Sequence, residues 1–366
     1  MKKFLKTVLG VFLILASNAL ACTGITVKTE DNKMIQGRTI EYGEGNLNSK
    51  LVISPRGKEY QSLTPEGKFE GHKWKAKYGF VGASLINELF IGEGINEAGL
   101  NAGLFYFPHY GSLAKYEKSS AKRSIVDMQF VSWILSNFST VEELKKGLKD
   151  IKIVNIALDE KGNPLPTAHW RVGDANGGNI VIEIVNNGEV KIHENKVGVI
   201  SNSPDYEWHV KNLNNYVNAY AGNAQSYELN GQKIFSFGAG TGALGLPGDI
   251  TPPSRFVRAF YFLSTIKPIN NSKEGVEEAF HILNNFDIPI GVEYSKEHKQ
   301  YIPKDLPSAT QWTAISSLND REFYYKTMYN SQIRKVDLKK IDFSTVKYQA
   351  NPLDKKPEES IEELVF

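Results

Sequence analysis

The sequence predicts an α+β protein in which strands and helices occupy separate layers. Short strand-like runs come first, two helical patterns follow, and strands, helices and strands then succeed one another. This order differs from the alternating βαβ pattern that is typical of parallel sheets. The 366 residues are 41% hydrophobic and 23% charged, a composition that favours a buried core over a disordered chain.

The predicted elements are punctuated by local signals. Strands are predicted at 22–29, 33–42, Lys50–Pro55, Tyr78–Gly82, Leu89–Gly92 and Ala102–Phe107, then helices at Ser124–Phe138 and Thr140–Asp150. Next come strands at Ile151–Ala157, His169–Val172, Ile180–Val185, Val190–His193 and Val197–Ile200. Helices at Pro204–Tyr220, Pro253–Ile266 and Lys273–Asn285 precede strands at Thr310–Ser317, Glu322–Met328 and Gln332–Asp337. Glu30-Asp31-Asn32 indicates a turn, Thr140 with Glu143 forms a capping box, and the charged tail from Asn351 is expected to be loosely held.

The first 21 residues are typical of a secretory signal peptide. They combine a basic start, an apolar run from Val8 to Ala16 and an A-x-A pattern ending at Ala21. The run is too short to cross a bilayer, and no later uncharged stretch approaches that length. We therefore expect export to the periplasm or the medium without stable membrane insertion. Residues 22–366 contain no evident linker or repeat and are expected to form one domain.

Cleavage after Ala21 would make Cys22, the sole cysteine, the first residue of the mature chain. An unpaired cysteine in an exported protein is incidental, lipidated or reactive. A lipoprotein signal usually has Leu three residues before the cysteine, and Ala19 stands there. An N-terminal nucleophile would combine a thiol with an α-amino group whose pKa is about 7.7–8.0, near that of a useful general base. Lipidation and nucleophilic use of the thiol exclude each other.

Other functional classes find little support. Without the first 21 residues the chain holds 40 basic and 41 acidic side chains, which gives no electrostatic footprint for nucleic acid. Gly240, Gly242 and Gly245 fit G-x-G-x-x-G, but Leu246–Asp249 follows instead of a helix, so no dinucleotide cofactor is expected. None of the seven histidines has metal-ligand spacing, and G-x-S-x-G does not occur. Neither a metal nor another cofactor is predicted.

Five blocks of sequence carry a resemblance to a known family. They are Cys22–Gly24 (CTG), Gly37–Gly43 (GRTIEYG), Ile95–Phe107 (INEAGLNAGLFYF), Gly198–Tyr216 (GVISNSPDYEWHVKNLNNY) and Gly238–Arg258 (GAGTGALGLPGDITPPSRFVR). In this order they resemble the choloylglycine hydrolase family, which includes conjugated bile salt hydrolases and penicillin V acylases. The resemblance runs from Cys22 to about Asp337. It implies an N-terminal nucleophile hydrolase with a four-layer αββα sandwich that cleaves linear amides of small acyl compounds.

The resemblance also implies roles for individual residues. Cys22 corresponds to the nucleophile and Arg38 to the arginine beside its thiol. Asn202 corresponds to the oxyanion-hole asparagine, and the backbone N–H of Tyr106 to the second donor. Arg255 corresponds to a second active-site arginine.

One position departs from the common pattern, and each assignment has an alternative. Glu41 stands where relatives often have Asp, and its longer side chain can still accept a hydrogen bond from the Cys22 amine. Alternatively, Arg38 and Glu41 form a surface ion pair. Asn202 before Ser203-Pro204 could cap the following helix, and Arg255 could lie on a solvated helix face.

The substrate and the assembly follow from the resemblance less directly. Conjugated bile salts are the first expected substrates, with penicillin V and N-acyl homoserine lactones as alternatives. The tyrosine at position 106 is similar to the residue found in the penicillin acylases of the family. Pocket candidates that serve equally well as core are Leu89, Phe90, Phe105, Phe107 and Tyr110. Residues 212–237 resemble an insertion that helps relatives to form tetramers, so a homotetramer is expected. A lipid-anchored binding protein is the non-enzymatic alternative.

Overall fold

The structure is a computed structural model that describes residues 20–43, 45–156, 168–293 and 309–366. The predicted signal peptide lies outside these residues except for its last two positions. The strands are, in chain order, β1 (Leu20–Lys28), β2 (Met34–Tyr42), β3 (Lys50–Ser54), β4 (Glu59–Gln61), β5 (Lys73–Lys75), β6 (Phe80–Leu85), β7 (Asn87–Asn96), β8 (Asn101–Tyr106), β9 (Ser124–Val126), β10 (Lys152–Val154), β11 (Ala168–Gly173), β12 (Asn179–Val185), β13 (Glu189–Glu194), β14 (Val199–Ile200), β15 (Tyr227–Leu229), β16 (Gln232–Ile234), β17 (Ala309–Ser317), β18 (Glu322–Thr327), β19 (Arg334–Asp337) and β20 (Gln349–Pro352). The α-helices are α1 (Asp127–Asn137), α2 (Val141–Gly147), α3 (Tyr206–Asn212), α4 (Pro252–Thr265) and α5 (Ser272–Asn284).

Two antiparallel sheets form the centre of the described structure. One has the order β14-β1-β2-β17-β18-β19, and the other has the order β13-β12-β11-β8-β7-β6-β3-β20. The sheets face each other, and β1 contacts β8 across the interface. Helix α1 covers the outer face of the second sheet at β7 and β8, whereas α4 and α5 cover the first sheet at β1 and β2. The predicted four-layer αββα sandwich of the N-terminal nucleophile hydrolase type is confirmed.

The pairing of β1 with β2 determines which way the site residues point. Cys22 lies opposite Ile40, and Gly24 lies opposite Arg38. The Arg38 guanidinium lies 4.3 Å from the ring centroid of Phe105 on β8, so this face of the two strands is turned toward the other sheet. Since strand side chains alternate, the neighbouring positions on β1 and β2 face the helices instead.

Several predicted element boundaries are wrong, and three of them have a clear local cause. The helix predicted from Ser124 begins at Asp127, because the preceding residues form β9 and pair in parallel with β10. The helix predicted at Pro204–Tyr220 begins at Tyr206, where the Asp205 carboxylate accepts a hydrogen bond from the Trp208 N–H, and its α-helical part ends at Asn212. The tail expected to be loose from Asn351 is still paired to β3 there, through β20.

The capping box predicted at the start of α2 is confirmed in a modified form. Thr140 Oγ1 accepts a hydrogen bond from the Glu143 N–H at 3.2 Å. The carboxylate of Glu143 accepts its backbone hydrogen bond from Ser139, one residue before the predicted partner. Both interactions satisfy N–H groups at a helix start that have no partner within the helix.

Gly24 has no room for a side chain between Ile200 of the neighbouring strand and Phe105 of the other sheet, and this generates a stability prediction. A Cβ added there would lie 2.6 Å from Ile200 Cγ2 and 2.6 Å from Phe105 Cζ, both on buried side chains. We expect Gly24→Ala to lower the free energy of unfolding by about 1–3 kcal/mol, as overpacked cores do. The urea midpoint of the purified protein measures this. Gly248→Ala is the matched control, because a Cβ there meets no described atom within 4 Å; equal midpoints for the two variants would contradict the expected overpacking.

Candidate active site

Cys22 lies near the start of β1 with its thiol buried between the sheets. The residue is 1% exposed, and its Sγ accepts a hydrogen bond from Arg38 Nη2 at 2.7 Å. A cysteine is most reactive as a thiolate, which a neighbouring guanidinium stabilises. The strand register therefore places a potential nucleophile directly beside a fixed positive charge.

Arg38 is held by backbone carbonyl groups rather than by solvent. Its Nη1 donates to the carbonyl oxygens of Gly92, at 3.0 Å, and Leu104, and its Nε donates to that of Thr39 at 3.2 Å. The guanidinium also packs over the Phe105 ring. These contacts restrict the Arg38 side chain to one conformation, in which Nη2 points at the thiol.

A buried carboxylate balances Arg38 and a second arginine from the other sheet. Glu93 on β7 lies 4.0 Å from Arg38 Nη1 and accepts a hydrogen bond from Arg171 Nη2 at 2.7 Å. Arg171 Nη1 reaches the other sheet, where it donates to the carbonyl oxygens of Ile25 and Gly37. Glu93 thus lies between two arginines. One is Arg38, which contacts the thiol, and the other is Arg171, which connects the two sheets.

The sequence interpretation missed Glu93 and Arg171. A Cβ at Gly103 would lie 1.9 Å from a Glu93 carboxylate oxygen, so the glycine makes room for this charge. The available signal was a charged residue within a mostly apolar run, Glu93 in Phe90–Ile95 and Arg171 in Ala168–Gly173. Because buried charges require partners, such residues indicate an ion pair, but the sequence does not reveal which residues pair.

The thiol is subject to opposing electrostatic effects. Burial raises the pKa of Cys22 above its ordinary value, and Arg38 opposes this most strongly. Ionised Glu41 raises the thiol pKa further, whereas Arg255 and a hydrogen bond from the Tyr106 backbone lower it. The net direction is upward, so a base that removes the thiol proton is needed for nucleophilic attack.

Asn202 connects the backbone of Cys22 to its surroundings. Its Oδ1 accepts hydrogen bonds from the Cys22 N–H at 2.8 Å and from Arg255 Nη2 at 2.7 Å. Its Nδ2 donates to the Tyr106 carbonyl at 2.8 Å. The alternative in which Asn202 caps the following helix is wrong, because Asp205 occupies that position.

Arg255 lies in the first turn of α4, with its side chain turned toward β1. Its Nη1 donates to Thr23 Oγ1 at 2.8 Å and to the Cys22 carbonyl, and its Nε donates to the Ile250 carbonyl at 2.8 Å. Only 1% of the residue is exposed, so the alternative of a solvated helix face is wrong. Arg255 instead fixes the backbone of the thiol-bearing residue from the helix side.

Glu41 is fully buried on the face of β2 opposite to Arg38, so the alternative of a surface ion pair between them is wrong. Its Oε1 accepts a hydrogen bond from Thr310 Oγ1 at 3.0 Å. Burial raises the pKa of Glu41 to about 7, which Arg255 opposes and nearby Glu293 reinforces. This carboxyl group therefore changes its charge near neutral pH.

Ala21 still precedes Cys22 in this structure, so the nitrogen of Cys22 is a peptide nitrogen. The Ala21 backbone pairs with Glu41 in the β1–β2 ladder. Ala21 also lines a cleft of about 230 Å³. The cleft is lined by Ala21, Tyr106, Pro108, Asn202, Ser203, Ile250, Thr251, Pro252, Arg255 and Glu293. Loss of Ala21 would open this cleft onto the Cys22 nitrogen.

The five apolar pocket candidates do not line this cleft within the described residues. Phe90, Phe105 and Phe107 are core residues with at most 2% exposure. Leu89 is partly buried, and Tyr110 is exposed at a different depression. The interpretation of the three phenylalanines as core is therefore the correct one.

Two further properties concern only the part of the chain that the structure describes. There, no cluster of three or more His, Cys, Asp or Glu side chains is arranged to hold a metal ion. The same residues include no helix with the length and apolar character needed to cross a bilayer.

Comparison with known proteins identifies relatives over most of the chain. The profile of the linear amide C–N hydrolases, choloylglycine hydrolase family, matches residues 22–352. The bile salt hydrolase/transferase of Clostridium perfringens is 35% identical over 87% of this chain and 93% of its own length. The penicillin V acylase of Pectobacterium atrosepticum is 25% identical over 93% of this chain and 87% of its own.

A solved structure extends the similarity to three dimensions. The crystal structure of a cysteine-to-alanine mutant of the conjugated bile acid hydrolase from Clostridium perfringens superposes with a TM-score of 0.78 at 29% identity. The match covers 94% of this chain and all of the other. The chain therefore belongs to the choloylglycine hydrolase family of enzymes that hydrolyse linear amide C–N bonds.

Proposed function

We propose that the mature chain begins at Cys22 and hydrolyses conjugated bile salts, with the Cys22 thiol as nucleophile and its own α-amine as base. The observation that carries this proposal is the contact of 2.7 Å between the buried Sγ and Arg38, beside a Cys22 nitrogen held by Asn202. The bile salt preference rests on the similarity to the Clostridium perfringens enzyme.

Maturation is required by the chemistry. A peptide nitrogen is not basic, whereas an α-amine has a pKa of about 7.7–8.0 and accepts a proton near neutral pH. The predicted signal peptide, residues 1–21, supplies the cleavage that would create this amine and implies export to the periplasm or the medium. Residues 22–366 would then form one hydrolase domain.

The proposed reaction uses groups that already surround Cys22. The α-amine takes the thiol proton, and the thiolate attacks the amide carbonyl to form a tetrahedral oxyanion. Asn202 uses one Nδ2 hydrogen for the Tyr106 carbonyl and keeps a second for the oxyanion. The Tyr106 N–H, which hydrogen-bonds to the thiol before attack, is the second proposed donor. The ammonium protonates the departing nitrogen, and water then hydrolyses the thioester, which restores the thiol and releases the acid.

The two site arginines and Glu41 have supporting roles in this proposal. Arg38 stabilises the thiolate, and Arg255 holds the Cys22 carbonyl so that the amine and thiol keep their relative positions. Glu41 lies opposite Ala21 in the strand register. Once Ala21 is removed, this carboxylate faces the vacated position and accepts a hydrogen bond from the new ammonium group.

Penicillin V hydrolysis is the second candidate. Tyr106 and the similarity to the Pectobacterium acylase favour it. Glycocholate, taurocholate, penicillin V and a long-chain acyl-homoserine lactone, assayed at equal concentration, distinguish these substrate classes. A lipid anchor is disfavoured, because a permanent group on the Cys22 sulfur would displace its buried contact with Arg38.

We also propose that the mature enzyme is a homotetramer. The segment between α3 and α4 carries the hairpin β15–β16 and exposes several large apolar side chains, as interaction surfaces do. These are Val217, Tyr227, Leu229, Phe235 and Phe237.

Sedimentation velocity tests the assembly. We expect the mature chain to sediment as a tetramer and Phe237→Asp to shift it toward smaller species, because the charge would be buried in the interface. Leu364→Asp, on an exposed tail residue outside this segment, is the control. A monomeric mass for the unmodified chain would refute the proposed assembly.

The free N-terminus provides the sharpest test of the mechanism. A chain in which Met is removed to expose Cys22 should hydrolyse substrate, and one with a permanent extension before Cys22 should not, since its nitrogen stays an amide. Mass spectrometry verifies both N-termini. Circular dichroism verifies that the extended chain is folded; equal turnover in both forms would exclude the α-amine as base.

The pH dependence of thiol alkylation tests the electrostatics. Because ionised Glu41 raises the pKa of Cys22, Glu41→Gln should lower it, and the midpoint of iodoacetamide reactivity should move to lower pH. The effect should be largest above about pH 7, where Glu41 carries its charge. Glu97→Gln, whose carboxylate instead pairs with Arg56, should leave the midpoint in place. An upward shift with Glu41→Gln would contradict this sign.

A further inference from the structure

Three buried polar side chains lie behind the segment that carries Asn202. They are His169 on β11, Glu183 on β12 and His209 on α3, and each is 1% exposed. The family blocks used to identify the site assign no role to any of them. Their burial calls for an explanation, since polar groups removed from water cost free energy unless they are hydrogen-bonded.

The two histidines contact successive carbonyl oxygens around Asn202. His169 Nε2 lies 2.8 Å from the Ser201 carbonyl oxygen, and His209 Nε2 lies 2.9 Å from the Asn202 carbonyl oxygen. A carbonyl oxygen only accepts, so each Nε2 carries the hydrogen. The two carbonyl groups belong to the peptide groups on either side of the Asn202 Cα. The hydrogen bonds therefore fix both peptide planes, which set the direction of the Asn202 side chain.

Glu183 orients the first histidine from behind. Its Oε1 lies 3.3 Å from His169 Nδ1 and accepts a hydrogen bond from the Tyr206 N–H at 2.8 Å. Its Oε2 lies 3.1 Å from His193 Nε2. Although burial raises the pKa of Glu183, hydrogen bonds from His169 and His193 bring it down to about 2. Glu183 therefore holds the His169 ring from its Nδ1 side, while Nε2 contacts the Ser201 carbonyl oxygen.

Aromatic stacking restricts both imidazole rings and connects them to the rest of the site. His169 stacks on Phe107 with a centroid distance of 4.4 Å, and His209 stacks on Phe256 at 4.6 Å. Phe107 directly follows Tyr106, and Phe256 directly follows Arg255. Tyr106 and Arg255 both contact Asn202. Each imidazole ring therefore packs against a residue adjacent in sequence to one of these two contacts.

We propose that His169 and His209 are positioning residues that hold the Asn202 amide at the angle needed to donate to the oxyanion, with Glu183 orienting His169. This inference rests on the proposed function. An oxyanion donor stabilises the transition state only if it points at the developing charge, and a displacement of 1 Å can cost about 10²-fold in rate. The binding of the ground-state substrate does not depend on this angle.

The test compares variants of the mature chain with the wild type on the substrate that it hydrolyses best. His169→Phe keeps an aromatic ring over Phe107 and removes both hydrogen bonds. We expect kcat to fall about 10- to 100-fold, with KM within about twofold and with unchanged alkylation of Cys22. Asn202→Ala sets the scale, with an expected loss of about 10²–10³ in kcat.

A second pair of variants separates positioning from packing. The amide of Gln reaches the place of Nε2 and can donate to Ser201, whereas the shorter Asn reaches the place of Nδ1 and faces Glu183. His169→Gln should therefore retain a higher kcat than His169→Asn, although both introduce an amide. This comparison decides the matter if His169→Phe does not fold.

His72→Phe is the matched control. His72 also contacts a carbonyl oxygen, that of Lys122, and stacks on Trp74, but it lies away from Cys22. Its kcat should stay within about twofold of the wild type. An unchanged kcat in folded His169→Phe, or equal kcat values for the Gln and Asn variants, would overturn the positioning role. A wild type without amidase activity would instead refute the proposed function.

Discussion

The site depends on the burial of three positive charges. Two lie between the sheets, and the third lies between the first sheet and α4. Arg38, Arg171 and Arg255 are each at most 1% exposed, and such buried charges are tolerated only when opposite charges and hydrogen bonds compensate them. The matching groups are mainly backbone carbonyls from both sheets, together with the Glu93 carboxylate. The sheets must therefore keep their relative positions for the arginines to be satisfied. When the sheets are in these positions, the Cys22 thiol is a further hydrogen-bond partner of Arg38. The contacts that stabilise the core therefore also fix the position of the thiol.

The site uses both faces of one strand. The alternation of β1 sends the Cys22 thiol toward the other sheet and the Thr23 hydroxyl toward Arg255 on the helix side. The backbone of Cys22, which lies between these faces, is held by Asn202 and Arg255. The proposed nucleophile and the proposed base thus occupy different environments although they belong to the same residue. The thiol is buried beside the Arg38 guanidinium, and the nitrogen is beside a cleft and the carboxyl group of Glu41, whose pKa is raised to about 7.

The sequence predicted the layer order, most of the strands and the residues that surround Cys22, because alternation, turn residues and the five family blocks are local signals. It did not predict the partners of buried polar groups. Glu93 and Arg171 are 78 positions apart, and His169 and His209 meet Asn202 only after β11 and α3 are packed. The helix predicted from Pro204 begins two residues later because Asp205 caps it. The assignment of phenylalanines to a pocket or to the core also depends on three-dimensional packing, which a single sequence does not contain.

The alternation of β1 would determine how accurately the proposed removal of residues 1–21 must occur. A protease that removed one residue too many would leave a threonine at the terminus, and its hydroxyl would remain among the helices, next to Arg255. A cut one residue too early would leave Ala21 on the nitrogen that must be basic. Errors in either direction would thus produce inert protein rather than a slower catalyst. If the chain matures as proposed, the alternation of β1 would make removal of residues 1–21 the step that converts an unreactive precursor into an active enzyme.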